Sequence, residues 1–365
     1  MYKKLYPAQP MKKKRGIVKI LADLINPYSW ITAARNRMFD TGLIKSRAFG
    51  VPTVCVGNIT VGGTGKTPHV EYIVRLFKDR IATAVLSRGY GRKSKGFVVA
   101  GIDTPAGMIG DEPFQIKNKF SDMVVAVCEK RADGIRMIAE EFRDTGLILL
   151  DDAFQHRHVK AGLNILLIDS QRPLWNDCIL PFGRLRESVR GIRRADIVIF
   201  TKCGSLTAEE REEHTNYIKR RKDIPVFFSR MRYGRLYKLS DTEKSVDIQG
   251  KEALLVTGIA NPQPLKREIE RASSRTELAE YGDHHNFTAR DFVDIERKFN
   301  ALQDGNRIIV TTEKDAARIS CHEDVPETLK EHIYVMPIEV EIMFNEEKLF
   351  NQILEDYVTE NSRDS

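Results

Sequence analysis

The sequence has no long apolar run. None approaches the roughly 18–20 residues of a spanning helix, although 42% of its 365 residues are hydrophobic. Lysines stand near its start, but no uninterrupted apolar stretch or small-residue cleavage site follows them, so a secretory signal is not expected. It has no CxxC pair. Its cysteines, Cys55, Cys128, Cys178, Cys203 and Cys321, are odd in number, and Cys55 and Cys128 lie inside apolar runs, as buried inert thiols do. No internal repeat and no low-complexity tract longer than KKK interrupts the chain. These absences point to the cytoplasm.

What is present suits a globular protein with a sizeable core, and the length fits two domains. The net charge of +7 is unevenly placed. Residues 1–48 carry eleven Lys and Arg against Asp23 and Asp40, a net +9, which leaves −2 for the rest. Such an arm suits nucleic acid or an anionic membrane. Ile17, Ile20, Leu21, Leu24 and Ile25 fall on one helical face, followed by Tyr28, Trp30 and Ile31. An apolar stripe, interfacial aromatics and flanking lysines predict a helix lying in a membrane interface rather than on DNA.

From residue 51 short apolar runs alternate with amphipathic stretches, which predicts an α/β fold built on a mostly parallel sheet flanked by helices. VPTVCVGNIT, IATAVLS, MVVAVCE, LILLDDAF, LNILLIDS and ADIVIFTKC read as strands. VFFSRMRYGRLYKLS reads as extended ribbon, a second, smaller α/β segment begins at EALLVTGIA, and IYVMPIEVEIM is a late strand able to pair with the ribbon. The expected organisation is a basic membrane-associating segment over 1–48, a P-loop core over 49–225, a ribbon linker over 226–250, a second α/β domain over 251–350, and a polar tail over 351–365 that frays.

Thr60, Val61, Gly62, Gly63, Thr64, Gly65, Lys66 and Thr67 form the strongest motif. They follow a predicted strand and open a predicted helix, the context of a P-loop. Glycines let backbone N–H groups turn toward phosphate oxygens, and the helix N-terminus adds positive potential. Lys66 is placed for the β/γ-phosphates of ATP, and the Thr67 hydroxyl for Mg²⁺. Thr60 departs from GxxxxGK[ST], which has glycine there.

In LILLDDAFQHRH a strand runs into Asp151 and Asp152, carboxylates suited to holding the metal or its water shell. His156 is a candidate supporting polar group. The histidines lack thiol pairs or ligand spacing, so zinc is not expected. Asp111 and Glu112, after Gly110, read by themselves as acids of a helix first turn.

The strings GNITVGGTGKTP, LSRGYGR, GDEP, DDAFQHR, PFGRLRE, ADIVIFTK, GDHHNF and TTEKDA occur in an order that resembles the tetraacyldisaccharide 4′-kinases, over most of the chain. The resemblance covers Thr60, since the family has threonine there; Ala153 stands where the family is expected to have glycine. It implies a lipid kinase that uses ATP and Mg²⁺ on a lipid A precursor at the cytoplasmic face of the inner membrane. Set onto these positions, it implies that Asp111 is the catalytic acid/base group, and that His284, or His285 beside it, orients Asp111 from the second domain. It further implies that Glu187 joins Asp151 and Asp152 at Mg²⁺, that Arg186 lies near phosphate, and that Arg88, Tyr90 and Arg131 grip the anionic disaccharide.

Two other readings remain. A P-loop ATPase or GTPase that switches partners would keep the loop, but a GTPase usually carries NKxD, and the nearest string here is Thr201-Lys202-Cys203-Gly204. A nucleic-acid binder using the basic arm leaves Lys66, Thr67 and the paired acids without a task.

Overall fold

Thr53–Gly57 (β1) is buried along its whole length. Val54 and Val56 enter one apolar layer and Cys55 the other, so the strand has no solvated face, as expected of a central parallel strand. Leu147–Asp151 (β5) behaves alike: Leu147 and Leu149 face one layer, Ile148 and Leu150 the other.

The structure, a computed structural model, describes residues 25–259, 261–283, 285–303, 305–320, 322 and 324–362. The stripe over 17–24 and its flanking lysines, Cys321 and His284 lie outside the described residues.

The remaining strands are β2 (Thr83–Ser87), β3 (Val98–Val99), β4 (Val124–Val127), β6 (Leu163–Asp169), β7 (Ile197–Thr201), β8 (Val226–Tyr233), β9 (Leu236–Lys238), β10 (Asp241–Val246), β11 (Glu252–Thr257), β12 (Arg275–Glu280), β13 (Arg307–Thr312), β14 (Ile333–Met336) and β15 (Ile338–Ile342). Among the described residues they form a nine-stranded sheet, β15-β8-β7-β6-β1-β5-β2-β4-β3, and a six-stranded sheet, β10-β9-β14-β13-β11-β12. Only the edge strands β3 and β15 run antiparallel in the first sheet; in the second, β11 to β14 are parallel and β9 and β10 antiparallel. The mostly parallel α/β architecture with a smaller second sheet is therefore what the sequence predicts.

Six helices matter below: α1 (Pro27–Asp40), α2 (Lys66–Phe77), α3 (Asp111–Lys119), α4 (Arg131–Glu141), α5 (Glu313–Ser320) and α6 (Glu347–Ser362). β1 lies between β5 and β6, and the chain turns to opposite sides of it, so a crevice opens at the carboxyl ends of β1 and β5. Ligands of open α/β sheets sit at such a switch point.

Two chain crossings join the sheets. β8 belongs to the first sheet and leads through Gly234 and Arg235 into β9 of the second; Pro337 divides the late strand into β14, in the second sheet, and β15, in the first. The two crossings touch, the Gly234 N–H donating to the Pro337 carbonyl at 3.0 Å. A Cβ on Gly234 would come within 2.9 Å of the Pro337 ring, so this close approach needs glycine.

The expected polar tail over 351–365 is corrected by α6. Phe350, Leu354 and Val358 recur every fourth residue and are buried in the core that holds β1. The Tyr357 hydroxyl donates to the Thr53 carbonyl and accepts from the Thr53 N–H, both at 3.0 Å. Among the described residues no helix is long and apolar enough to cross a membrane.

Candidate active site

The loop from β1 to α2 turns on Gly62 (φ +103°) and Gly65 (φ +83°), conformations that L side chains rarely adopt. Thr60 is different. It forms an antiparallel bridge with Leu185, flanked by Val61 N–H donating to Arg184 O and Arg186 N–H donating to Ile59 O, both at 2.8 Å. Extended backbone suits a β-branched residue, so glycine is not needed there. Inside the loop the Asn58 amide donates to the Thr64 hydroxyl at 2.8 Å.

At the end of β5 the chain bends through Asp152, which adopts φ +47°. Its carboxylate lies 3.6 Å from Lys66 Nζ and 3.2 Å from an Arg186 guanidinium nitrogen. Asp151 is buried beside it. Burial, with the Asp152 charge adding, pushes its carboxyl up to about 6. Asp151 Oδ1 has no hydrogen-bond partner. A buried, unpartnered carboxylate oxygen next to a P-loop, with Thr67 in the first turn of α2, fits a divalent cation, which would offset the cost of burying the charge. No three His, Cys, Asp or Glu side chains converge as a metal cage among the described residues.

Glu187 sits elsewhere in this network. Arg194 grips both its oxygens at 2.7 and 2.8 Å, and the Asn36 amide donates to it at 2.9 Å. Glu187, expected among the metal ligands, is held here by these two donors. Glu187 instead ties α1 to the segment that backs the loop.

Arg131, expected to grip the disaccharide, lies behind the acids. It is 1% exposed, and its guanidinium donates to the Cys128 carbonyl at 2.6 Å and the Asp151 carbonyl at 3.2 Å. Desolvation lowers its pKa to about 10, with the Asp151 and Asp152 charges opposing. A guanidinium buried behind β5 braces the acids. Arg88 and Tyr90, by contrast, are exposed beyond the end of β2, with Tyr90 82% accessible. Burial, then Arg131 and Arg88, hold the His156 imidazole down at about 4, so it is neutral.

Asp111 and Glu112 open α3, and the Glu112 charge is among those that raise Asp151, which puts the GDEP turn beside the loop. The second sheet reaches the same place through α5: Arg318 donates to Asp111 Oδ2, and Lys314 lies 3.3 Å from Glu112. TTEKDA holds Lys314 and stops short of Arg318, and neither cation has an expected role; a pairing across 207 positions leaves no local signal. His285 is engaged in its own unit, with Nε2 3.0 Å from Asp291 Oδ2 and its ring stacked on Tyr281.

α1 seats on this region through polar side chains. The Asn26 amide donates to Leu180 O at 2.6 Å, the Tyr28 hydroxyl to Arg186 O at 3.1 Å, and Arg35 to Gln155 O at 2.9 Å. Phe39 alone is buried along the helix, while Ile25, Trp30 and Ile31 are 58–68% exposed.

A family model described as tetraacyldisaccharide-1-P 4′-kinase, LpxK, matches residues 17–359. The chain belongs to this family. A tetraacyldisaccharide 4′-kinase from Bacteroides fragilis is 47% identical over 353 residues, covering 92% of this chain and 93% of that protein. One from Phocaeicola vulgatus is 45% identical over 350 residues, covering 93% and 96%. The crystal structure of "apo" form LpxK from Aquifex aeolicus in complex with ATP aligns with a TM-score of 0.71 at 26% identity, over 94% of this chain and 99% of that one. By these names the tetraacyldisaccharide 4′-kinase family is a family of lipid kinases.

Proposed function

We propose that the protein transfers the γ-phosphoryl group of ATP to the 4′-hydroxyl of a tetraacylated disaccharide 1-phosphate, while peripherally attached to the cytoplasmic face of the inner membrane. The observation that carries this reading is the convergence of the phosphate loop, the buried Asp151 and the GDEP turn at one crevice, with α5 of the second sheet closing on that turn. Family membership supplies the lipid substrate class.

In this reading the N–H groups of Val61 to Gly65 and the start of α2 hold the phosphates, and Lys66 leaves Asp152 for the β/γ-phosphates. Asp151 and the Thr67 hydroxyl would hold Mg²⁺, which would supply neutralisation of phosphate charge. The 4′-oxygen bonds to the γ-phosphorus as the bond to the β,γ-bridging oxygen breaks, and the hydroxyl proton passes to the Asp111 carboxylate. His284, which the family resemblance assigns to the pair, is proposed to orient Asp111 from the second domain. Arg88 and Tyr90 face the sugar from the rim. The second sheet, swinging at the paired crossings near Gly234 and Pro337, closes over the nucleotide and excludes water.

The membrane half rests on α1. Its polar side chains grip the protein while Trp30 and Ile31 face outward, the reverse of a helix packed on its own core. Residues 25–31 then present the active-site crevice to the lipid plane.

The test is label transfer from γ-labelled ATP to the lipid in detergent with Mg²⁺, comparing wild type with Lys66→Ala. Label on lipid that falls at least about 100-fold in the variant supports the reading. ATP hydrolysis with no lipid labelling favours a partner-switching ATPase instead.

A further inference from the structure

The motif TTEKDAARI has no task in the reading above beyond closing the crevice, yet its charges are arranged with unusual economy. Along α5, Glu313 pairs with Lys119, Lys314 with Glu112, and Arg318 with Asp111, three ion pairs to one helix of the other sheet. The Arg318 side chain is 9% exposed, and its second guanidinium nitrogen lies 3.6 Å from Asp315 Oδ1. Asp315 is fully buried. Its Oδ2 accepts from the Thr257 hydroxyl at 3.0 Å, the Gly258 N–H at 3.0 Å and the Thr312 hydroxyl at 2.8 Å. A carboxylate pinned by three donors does not swing, so its other oxygen, which makes no hydrogen bond, keeps its charge 3.6 Å behind the guanidinium.

We infer that Arg318 is a positioning residue for phosphoryl transfer, anchored on Asp315 and aiming Asp111 at the acceptor hydroxyl from the second sheet. This rests on the reading of Asp111 as the proton acceptor. The planar fork of arginine serves both carboxylates at once, which a lysine ammonium does less well. When Asp111 takes the hydroxyl proton and loses its charge, Asp315 still compensates Arg318, so the cation is not stranded in a buried place. Asp111 is aimed only while α5 is docked, which makes competence for transfer depend on closure.

The experiment compares Arg318→Ala, Arg318→Lys, Lys314→Ala and Asp111→Asn in the full chain, measuring kcat, KM for ATP and melting temperature. Arg318→Ala is expected to lower kcat by about 100-fold, the cost of a misplaced reacting group, with KM for ATP nearly unchanged. Added guanidinium ion should restore part of that kcat, Arg318→Lys should recover part of it, and Lys314→Ala should show neither the loss nor the rescue. Wild-type kcat in Arg318→Ala alongside a large loss in Asp111→Asn overturns the role of Arg318 and leaves Asp111 standing. Wild-type kcat in Asp111→Asn removes the base itself, and the inference with it. A loss that tracks melting temperature and KM in both Arg318→Ala and Lys314→Ala, with no guanidinium rescue, reduces Arg318 to a link between the sheets.

Discussion

Gly65 ends the phosphate loop, and what holds its carbonyl is a histidine outside the familiar motif. His69 is buried, and burial lowers its pKa to about 4, so the ring is neutral. With Nδ1 protonated it donates to Gly65 O at 2.7 Å, and Nε2, 3.0 Å away, accepts from the Ser229 hydroxyl on β8. The last turn of the loop is thereby tied to the strand that leads into the second sheet. Ser229→Ala leaves a buried ring nitrogen unpaired, which costs about 1–3 kcal/mol. Its KM for ATP should rise roughly five- to tenfold, about 1–1.4 kcal/mol of binding. An unchanged KM and melting temperature would show that the loop does not depend on this tie. The loop itself is legible in the sequence because glycines, lysine and threonine act through local backbone geometry. The partner of Asp111 and the burial of Arg131 are not, since both depend on which distant backbone comes to rest against them.

At the scale of elements, apolar runs bounded by turns identify the central strands well, because a strand buried on both faces has a continuous apolar signature. IYVMPIEVEIM alternates as one strand would, and nothing in that alternation says that Pro337 hands its halves to different sheets. The last helix did leave a signal: Phe350, Leu354 and Val358 at fourfold spacing among polar residues mark one apolar face. Leu354→Ala should destabilise the protein by about 2–5 kcal/mol in denaturant unfolding, as for other buried leucines. A change under about 0.5 kcal/mol, the range of surface substitutions, would mean that α6 is dispensable. α1 makes the opposite prediction. Trp30→Ser with Ile31→Ser should weaken partitioning onto anionic liposomes on the order of tenfold or more, while ATP affinity stays unchanged. Equal partitioning by the double variant would detach the exposed face of α1 from the membrane.

At the scale of the whole molecule, the seam between the sheets holds charge out of water. Glu71, with its side chain fully buried, and Glu313 share Lys119, and Gln115 donates to Glu71 at 2.7 Å. Burial, reinforced by the Glu71 charge, raises the Glu313 carboxyl well above the usual range. A carboxyl whose pKa is raised on folding binds more protons folded than unfolded, so the protein loses stability as pH rises from the ordinary glutamate range through the raised value. Glu313→Gln removes that slope. The melting temperature of wild type relative to Glu313→Gln should therefore fall between pH 5 and pH 8. A difference that stays constant, or grows in favour of wild type, would show that the seam carries no such penalty. This seam, the paired crossings at Gly234 and Pro337 and the Arg318 contact make the second sheet part of the catalytic apparatus in our account, although it lies far along the chain from the phosphate loop.

The proposed destination of the phosphate is the 4′-oxygen of the distal sugar. Incubating the full-length protein with ATP, Mg²⁺ and the tetraacylated disaccharide 1-phosphate, then correlating phosphorus with proton resonances in the product, tests it most directly. A new phosphomonoester signal coupled to the 4′ proton of the distal sugar is the predicted result. Inorganic phosphate alone, or a phosphate on any other hydroxyl, would contradict it.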